Sequence, residues 1–169
     1  MGSTIAEKIL ADAAGVETAS PGDHLVCDID MAMSHDLGTE GVIAHLDEMG
    51  VEEVWDSSRI VCPMDHVAPS HTIEDANQKS RIREFVEEQG IENFYDVGTG
   101  ICHEVLIENG HVRPGELLVG TDSHTTSHGA LGAAGTGIGH TDMAYVYATG
   151  QTWFRVPETI RFHVDGEFD

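Results

Sequence analysis

Strand-like and helical segments alternate along the whole chain with short connections, and this rhythm limits the folds that the chain can adopt. Runs of apolar residues mark the strands, and apolar residues at helical spacing mark the helices. The predicted strands are 24–33, 59–66, 93–98, 115–124 and 158–166, and the predicted helices are 4–14, 39–49, 73–89 and 142–151. This alternation predicts a single α/β domain over residues 1–169, a layered α/β/α structure with a mostly parallel sheet.

The ends of several helices carry local signals. Thr4 is followed three positions later by Glu7, which is the spacing of a capping box. Gly50 and Gly90 stand where the second and third helices are expected to end. In contrast, the glycines of residues 98–110 predict a loop.

Residues 120–140 read GTDSHTTSHGALGAAGTGIGH and contain six glycines and three histidines. So many ionisable side chains beside so little bulk predict a backbone that lies close to a small polar ligand. No Lys-Ser or Lys-Thr pair follows the glycines, and the G-x-G-x-x-G spacing is absent, which argues against a nucleotide-binding loop. We therefore expect a loop that turns sharply and lets a helix pack closely against the sheet.

The chain contains thirty acidic residues and only eight basic ones, which gives it a net charge of −22. A field of this sign repels nucleic acids and anionic membranes, so neither is expected as a partner. The acidic residues are scattered over predicted helix faces, which argues against an acidic interaction segment. The favoured interpretation is a halophilic protein adapted to high salt, and the alternative is a protein that is merely acidic.

The sequence shows no apolar run as long as a membrane span and no basic leader followed by an apolar block. A cytoplasmic protein is the resulting expectation. The three cysteines, Cys27, Cys62 and Cys102, are odd in number and widely spaced, which fits reduced thiols better than a disulfide scaffold. In principle, three thiolates could also hold an iron–sulfur cluster.

Four polar clusters follow predicted strands, and three of them contain an adjacent histidine and aspartate or an Asp-Ser-His run. Ligands of open α/β sheets bind at the carboxyl ends of strands, so these clusters predict a site. A neighbouring aspartate orients an imidazole and raises its pKa, which suits a general acid. The clusters are His35 with Asp36, Asp65 with His66, His103, and Asp122 with Ser123 and His124.

The other histidines carry weaker signals. His124 and His128 are four residues apart, but their segment is not helical in pattern and lacks the glutamate of zinc proteases. His128 is therefore predicted to be a solvated turn residue. One divalent metal held by His66, Asp122 and His124 in a hydrolase stays open as an alternative. Surface positions are expected for His24, His45, His71, His111, His140 and His163.

Distinctive motifs follow one another along nearly the whole chain: TIAEKIL, SHDLGT, CPMDH, GICHE, the 120–140 segment and GQTWFRVPETIRFHVDG. They resemble those of the aconitase superfamily, in which a TDSHT turn runs into a glycine-rich stretch. They are similar in particular to the large subunits of 3-isopropylmalate dehydratase and homoaconitase of the archaeal type. The resemblance implies the first domain of the aconitase-type fold, as the amino-terminal part of a longer large subunit.

The activity implied by the resemblance is that of a hydro-lyase, which isomerises 3-isopropylmalate to 2-isopropylmalate in leucine biosynthesis through dehydration and rehydration. By position, Asp65 and His66 would form the acid that protonates the departing hydroxyl group. His103 would pair with Asp122 in the polar network behind the cofactor, and His124 would lie at the oxygens bound to it. A homoaconitase or aconitase-type hydratase fragment, or a truncated remnant without catalytic activity, are the alternatives.

The resemblance further implies substrate contacts from Ser123 and from His35, which stands where aconitases have a glutamine. The implied cofactor is a [4Fe–4S] cluster in which one iron without a protein ligand acts as a Lewis acid. A lone cysteine and a C-x-x-C pair hold that cluster in the family, and this sequence has no C-x-x-C, so no residue of the chain is expected to bind metal. The implied partners are a hydroxy-polycarboxylate substrate and a small subunit that carries the swivelling domain.

Overall fold

The computed structural model describes residues 2–167 and shows five α-helices and seven β-strands among them. Two short 3₁₀ helices, Ser57–Arg59 and Ser123–Leu131, complete the regular structure. The helices are α1 (Ile5–Ala13), α2 (Asp36–Met49), α3 (Ile73–Glu88), α4 (Cys102–Glu108) and α5 (His140–Thr149). The strands are β1 (His24–Asp28), β2 (Met31–Met33), β3 (Ile60–Pro63), β4 (Phe94–Tyr95), β5 (Leu117–Gly120), β6 (Ala134–Gly137) and β7 (Gln151–Arg155).

Five strands form one parallel sheet in the order β4–β3–β2–β5–β6, and β1 pairs with β7 in a separate antiparallel ribbon. This arrangement confirms the predicted α/β fold with a mostly parallel sheet. Successive strand residues point to opposite faces of a sheet, and the buried residues follow this rule. Ala32 packs in the larger core and Met33 in the smaller one, and Leu117 and Leu118 divide in the same way.

The two cores place helices on both faces of the sheet. The larger core includes Ile9 of α1, Val42 of α2, Ile82 of α3 and Met143 of α5, all of which are buried. The smaller core receives Leu106 from α4. The layers therefore follow the α/β/α order that the alternation of segments predicts.

Two predicted strands differ from the structure. Residues 24–33 divide at Ile29 and Asp30, so that β1 joins the antiparallel ribbon and β2 joins the parallel sheet. The last predicted strand, 158–166, has no ladder partner among the described residues, and its Phe162 is 83% exposed. The final strand is β7 instead, because Gly150 ends α5 in a left-handed conformation and the chain turns back along β1.

The segment 98–110, predicted to be a loop, contains helix α4. The N-cap residue Ile101 makes no capping hydrogen bond with its own side chain, and Gly98 and Gly100 precede the helix, which explains the wrong prediction; Asp65, distant in sequence, accepts the backbone N–H of Cys102 instead. Its apolar spacing was the available signal, since Cys102, Val105 and Leu106 are all buried. The result places His103 in the first turn of a helix.

The glycine-rich segment is also more regular than expected, because it contains the longer 3₁₀ helix and strand β6. A Cβ atom at Gly135 would clash with the backbone carbonyl oxygen of Thr125, and one at Gly137 would lie 2.7 Å from the carbonyl oxygen of Asp122. The glycines therefore permit close packing, as predicted, but the packing is of an edge strand against a 3₁₀ helix. No helix within residues 2–167 is both long and apolar enough to cross a bilayer.

Replacing Gly135 with alanine is expected to lower the free energy of unfolding by about 1–3 kcal/mol, because the added methyl group meets backbone that cannot move aside. Chemical denaturation measures the change. Gly129→Ala is the matched control in the same segment, since a Cβ atom there meets nothing within 4 Å. Equal stability of the two variants would contradict the close approach of β6 to the 3₁₀ helix.

Candidate functional site

The site lies where neighbouring strands end. Strands β3, β2 and β5 are adjacent and parallel, so their carboxyl ends meet at one edge of the sheet. His35 follows β2, Asp65 and His66 follow β3, and Asp122 follows β5. His103 reaches the same place from the first turn of α4. The topology thus gathers residues that are up to 87 positions apart, from His35 to Asp122.

The carboxylate of Asp122 lies at the centre of this cluster. Its Oδ1 atom accepts hydrogen bonds from Nε2 of His103 at 2.8 Å and from the backbone N–H of His124 at 2.7 Å, and Nδ1 of His124 lies 3.1 Å away. Its Oδ2 atom lies 3.5 Å from Nε2 of His66. Burial opposes the charge, but hydrogen bonds from His103 and His124 hold the pKa of Asp122 well below its usual range.

His66 is held by Asp65. The Nδ1 atom of His66 lies 2.7 Å from Oδ1 of Asp65, whose Oδ2 accepts the backbone N–H of Cys102 at 2.6 Å. Burial lowers the pKa of His66, but the hydrogen bond and the charge of Asp65 outweigh it and raise the pKa above its ordinary value. The imidazole is 29% exposed, so it holds a proton that a bound molecule can reach.

A buried ion pair positions the segment that carries His66. Both oxygens of Asp36 accept backbone N–H groups, from His66 at 3.0 Å and from Val67 at 2.9 Å. The Nζ atom of Lys79 lies 3.7 Å from Asp36, and both side chains are almost fully buried. The buried position of Lys79 is not predicted from the sequence, although one signal is present: on α3 it stands at helical spacing before the core residue Ile82.

His35 caps helix α2 and also contacts the cluster through its ring. It is the N-cap of α2, where its Nδ1 atom accepts the backbone N–H of Leu37 at 3.2 Å. Its ring stacks on that of His66, with centroids 3.9 Å apart and planes inclined by 20°. Burial, followed by the neighbouring His66, lowers the pKa of His35.

His128 was predicted to be a solvated turn residue, and this prediction is wrong. It is completely buried in the 3₁₀ helix, and its Nε2 atom lies 3.4 Å from Nδ1 of His103. Its Nδ1 atom has no hydrogen-bond partner among the described residues. Burial, followed by the nearby His103, lowers the pKa of His128, which favours the neutral ring.

Ser123 and the six histidines expected at the surface differ in how exposed they are. Ser123 begins the 3₁₀ helix and is exposed. Two histidines expected at the surface are half-buried: His45 stacks on His140, and His111 lies 2.5 Å from the hydroxyl group of Tyr95. The other four histidines expected at the surface, His24, His71, His140 and His163, are exposed.

A cavity of about 500 Å³ opens beside this cluster. Asp65, His66, His103, Asp122 and His124 line it together, so the structure brings all five predicted catalytic side chains to one concave surface. No lysine or arginine lines it within the described part of the chain. The remaining lining residues are Ile101, Cys102, Glu104 and Ser127.

The three cysteines do not fit the ligand set of an iron–sulfur cluster. Cys27 lies against the carbonyl oxygen of Leu10, Cys62 lies near Tyr147, and Cys102 adjoins Asp65, so no candidate metal set in residues 2–167 contains two thiols. Burial raises the pKa of Cys27 and of Cys62 to about 11, and burial together with the charge of Asp65 raises the pKa of Cys102 to about 12. The thiolate form that binds iron is therefore disfavoured at all three positions.

The single-metal set of His66, Asp122 and His124 is not assembled either. Among the described residues, Asp122 groups with His35 and His66 on one side and with His103 and His124 on the other. The two groups share Asp122, whose Oδ1 atom is already occupied by hydrogen bonds on the second side. The geometry is that of a hydrogen-bonded network with a cavity in front of it.

Comparison with known proteins matches residues 7–169 to the model of the aconitase family (aconitate hydratase). The chain is 59% identical over 167 residues to the 3-isopropylmalate dehydratase large subunit 1 of Methanopyrus kandleri, covering 99% of this chain and 40% of that protein. It is 52% identical over 145 residues to the probable methanogen homoaconitase large subunit of Methanosarcina mazei, covering 86% of this chain and 37% of that protein. The chain thus spans about 40% of the length of such relatives.

Replacing Asp122 with asparagine is expected to lower the free energy of unfolding at neutral pH by about 1–3 kcal/mol, because three donors lose a charged acceptor. The folded-state pKa of Asp122 is lowered, so its stabilisation is present above the ordinary aspartate pKa of about 3.9 and is lost as the pH falls through the folded value. Denaturation across the acid range should therefore show the two proteins converging.

The exposed Asp12→Asn variant removes the same charge away from the cluster and controls for relief of general repulsion. A loss of stability for Asp122→Asn that persisted unchanged in acid would contradict the role given to the carboxylate.

Proposed function

The chain belongs to the aconitase family, and on that premise we propose that it forms the amino-terminal part of a hydro-lyase large subunit that acts on 3-isopropylmalate. The reaction removes a hydroxyl group and a proton from the substrate and adds water back in the other orientation. The residues of this chain are proposed to perform only the proton transfer to and from the hydroxyl group in this reaction. The observation that carries it is the pair of Asp65 and His66, which are 2.7 Å apart beside the cavity.

His66 is the proposed acid that delivers a proton to the departing hydroxyl group. Its Nδ1 atom is engaged by Asp65, which leaves Nε2 as the atom that faces Asp122 and the cavity. The raised pKa favours the protonated ring, and the 29% exposure of the side chain lets a substrate oxygen approach it. Transfer leaves a neutral imidazole that can accept a proton in the reverse step.

Asp122 is proposed to orient the imidazoles of His103 and His124, which both line the cavity. Both rings point a nitrogen at its Oδ1 atom, which restricts how they turn. With the rings fixed, Nε2 of His124 and the hydroxyl group of Ser123 become hydrogen-bond partners for a polyanionic substrate, while both ring nitrogens of His103 are engaged within the protein. His35 is proposed as a further contact at the edge of this group, beside His66.

Two requirements of the reaction are not supplied by these residues. Nothing that lines the cavity in the described chain is a lysine or an arginine, so the substrate carboxylates need a further cationic partner. When present, the [4Fe–4S] cluster of the family supplies Lewis-acid activation of the hydroxyl group. Since the three thiols here do not fit it, we propose that its ligands, the cationic groups and a small subunit come from outside this chain.

A chimera tests this proposal. The chain would replace the matching part of the Methanopyrus kandleri large subunit, which would be assembled anaerobically with its small subunit and assayed with 3-isopropylmalate. We expect turnover, and we expect His66→Ala to lower kcat by about 10²–10⁴-fold because the proton donor is lost. His163→Asn, an exposed change outside the site, should leave kcat unaltered.

An active chimera in which His66→Ala is as fast as the parent would overturn the assignment of the acid. The 169-residue chain alone, treated with iron and sulfide under the same conditions, is the negative control and should show no cluster absorption. Parallel assays with homocitrate address homoaconitase, the alternative favoured by the Methanosarcina mazei relative. A chimera that folds and binds its small subunit but converts neither substrate would favour the non-catalytic remnant.

We also propose that the chain is a halophilic, cytoplasmic protein. Lys79 is one of only two lysines and is buried beside Asp36, so Lys8 is the only lysine at the surface, where most of the acidic residues lie. Such a surface repels itself in dilute buffer and is screened at high salt. Three buried free thiols are compatible with a reducing compartment.

Far-ultraviolet circular dichroism in dilute buffer and in molar KCl checks the salt requirement. The helical signal is expected to be weak in dilute buffer and to recover in KCl, because screening shortens the range of charge repulsion. Sodium sulfate at equal ionic strength separates screening from a specific need for potassium. A fully folded protein in dilute buffer would contradict the proposed adaptation to high salt.

A further inference from the structure

The stacked pair of His35 and His66 poses a question of proton placement. The two ring centroids are only 3.9 Å apart, and both rings lie among carboxylates that favour a cation. Two cationic imidazoles at this separation repel each other, so the pair favours a single proton. Proximity alone does not decide which ring carries it.

The first turn of α2 decides the question at His35. The Nδ1 atom of His35 accepts the backbone N–H of Leu37 at 3.2 Å, so its lone pair is engaged in capping the helix. A proton on this atom would face that N–H and break the cap. The positive end of the helix dipole also disfavours a cation at an N-cap. His35 therefore keeps the neutral form in which Nε2 bears the hydrogen.

The other ring has the opposite surroundings. Nδ1 of His66 faces Asp65 at 2.7 Å, and its Nε2 faces Asp122 at 3.5 Å. Asp36, 4.0 Å from Nδ1 of His66, is shared with the buried ammonium group of Lys79 and with two backbone N–H groups. Asp36, Asp65 and Asp122 thus each present an oxygen within 4.0 Å of a ring nitrogen of His66, and among the described residues no carboxylate is hydrogen-bonded to the ring of His35.

We propose that His35 is a positioning residue that places the single proton of the stacked pair on His66, because capping α2 commits Nδ1 of His35 to accepting a hydrogen bond. The inference rests on the proposed function only in identifying that proton as the one delivered to the substrate. The hydrogen bond that caps α2 thereby determines that His66, the proposed acid, is the cationic ring of the pair. The opposite pKa directions of the two rings agree with it.

Nitrogen-15 spectra of the ring atoms test the placement in the native 169-residue chain at high KCl, without any assay of activity. We expect His35 to show an unprotonated Nδ1 and a protonated Nε2 throughout the pH range in which His66 loses its proton. The amide signal of Leu37 should not move in that range. A cationic His35, or a protonated Nδ1 on it, while His66 still holds its proton would overturn the proposal.

Two variants separate the cap from the ring. His35→Asn keeps a good capping acceptor without a titratable ring, and His35→Phe keeps a ring for stacking without the cap. The native His35 has a lowered pKa when folded, so its contribution to stability is present above the ordinary histidine pKa of about 6.5 and is lost as the pH falls below it.

Denaturation as a function of pH should therefore show the native chain losing stability relative to His35→Asn below about pH 6.5, by up to about tenfold in the unfolding constant per pH unit. His35→Phe should be less stable than His35→Asn at every pH, since it lacks the cap. Parallel pH curves for the native chain and His35→Asn would contradict the proposal. If the chimera fails to turn over while the nitrogen spectra give the expected pattern, the proposed function fails and the proton placement stands.

Discussion

One carboxylate oxygen, Oδ1 of Asp122, accepts hydrogen bonds that fix the rest of the site. It caps the 3₁₀ helix through the backbone N–H of His124, and it takes the ring nitrogen of His103 from a different helix. Strand β5 delivers this residue to the edge of the sheet at which β2 and β3 also end. Because Gly137 allows β6 to pass the backbone at Asp122, the glycine-rich segment and the carboxylate form one structural unit. The packing of that segment and the arrangement of the imidazoles therefore depend on each other.

The acidic character of the chain has two separate origins. Most of the thirty acidic residues belong to the surface, where they set the net charge of −22. Asp36, Asp65 and Asp122 are different, because each is largely withdrawn from water and takes backbone N–H groups or imidazoles as partners. Buried carboxylates of this kind persist only when donors surround them. Their imidazole partners, His66, His103 and His124, explain why histidines and aspartates occur together at the site.

Much of the fold could be read from the sequence because its signals are local. The capping box of Thr4 and Glu7 is present as predicted, and the alternation of segments gave the right sheet type. Helix α4 was not predicted because glycines precede it and its N-cap residue, Ile101, has no capping side chain. The strand predicted at 158–166 has the right apolar alternation, but a strand also needs a neighbouring strand, which local sequence does not encode.

Only part of the candidate site could be predicted from the sequence. Histidines and aspartates at strand ends could be named one by one, because the carboxyl edge of a parallel sheet collects whatever follows its strands. The burial of Lys79 and His128 could not be predicted in this way, because it depends on elements that are distant in sequence. Lys79 is covered by the segment after β3, and His128 lies beneath β6 next to His103. Likewise, the stacking of His35 on His66 joins residues 31 positions apart.

The most direct test of the central claim is a carbon-13 titration of the Asp122 side-chain carboxyl group at high KCl, with the ring signals of His66, His103 and His124 followed in the same samples. If one carboxylate organises the cluster, its carbon should stay in the ionised form far below the ordinary aspartate range of about 3.9, and the ring signals should shift when it finally gains a proton. A carboxyl group that titrates near 3.9 while the rings remain unaffected would contradict the account.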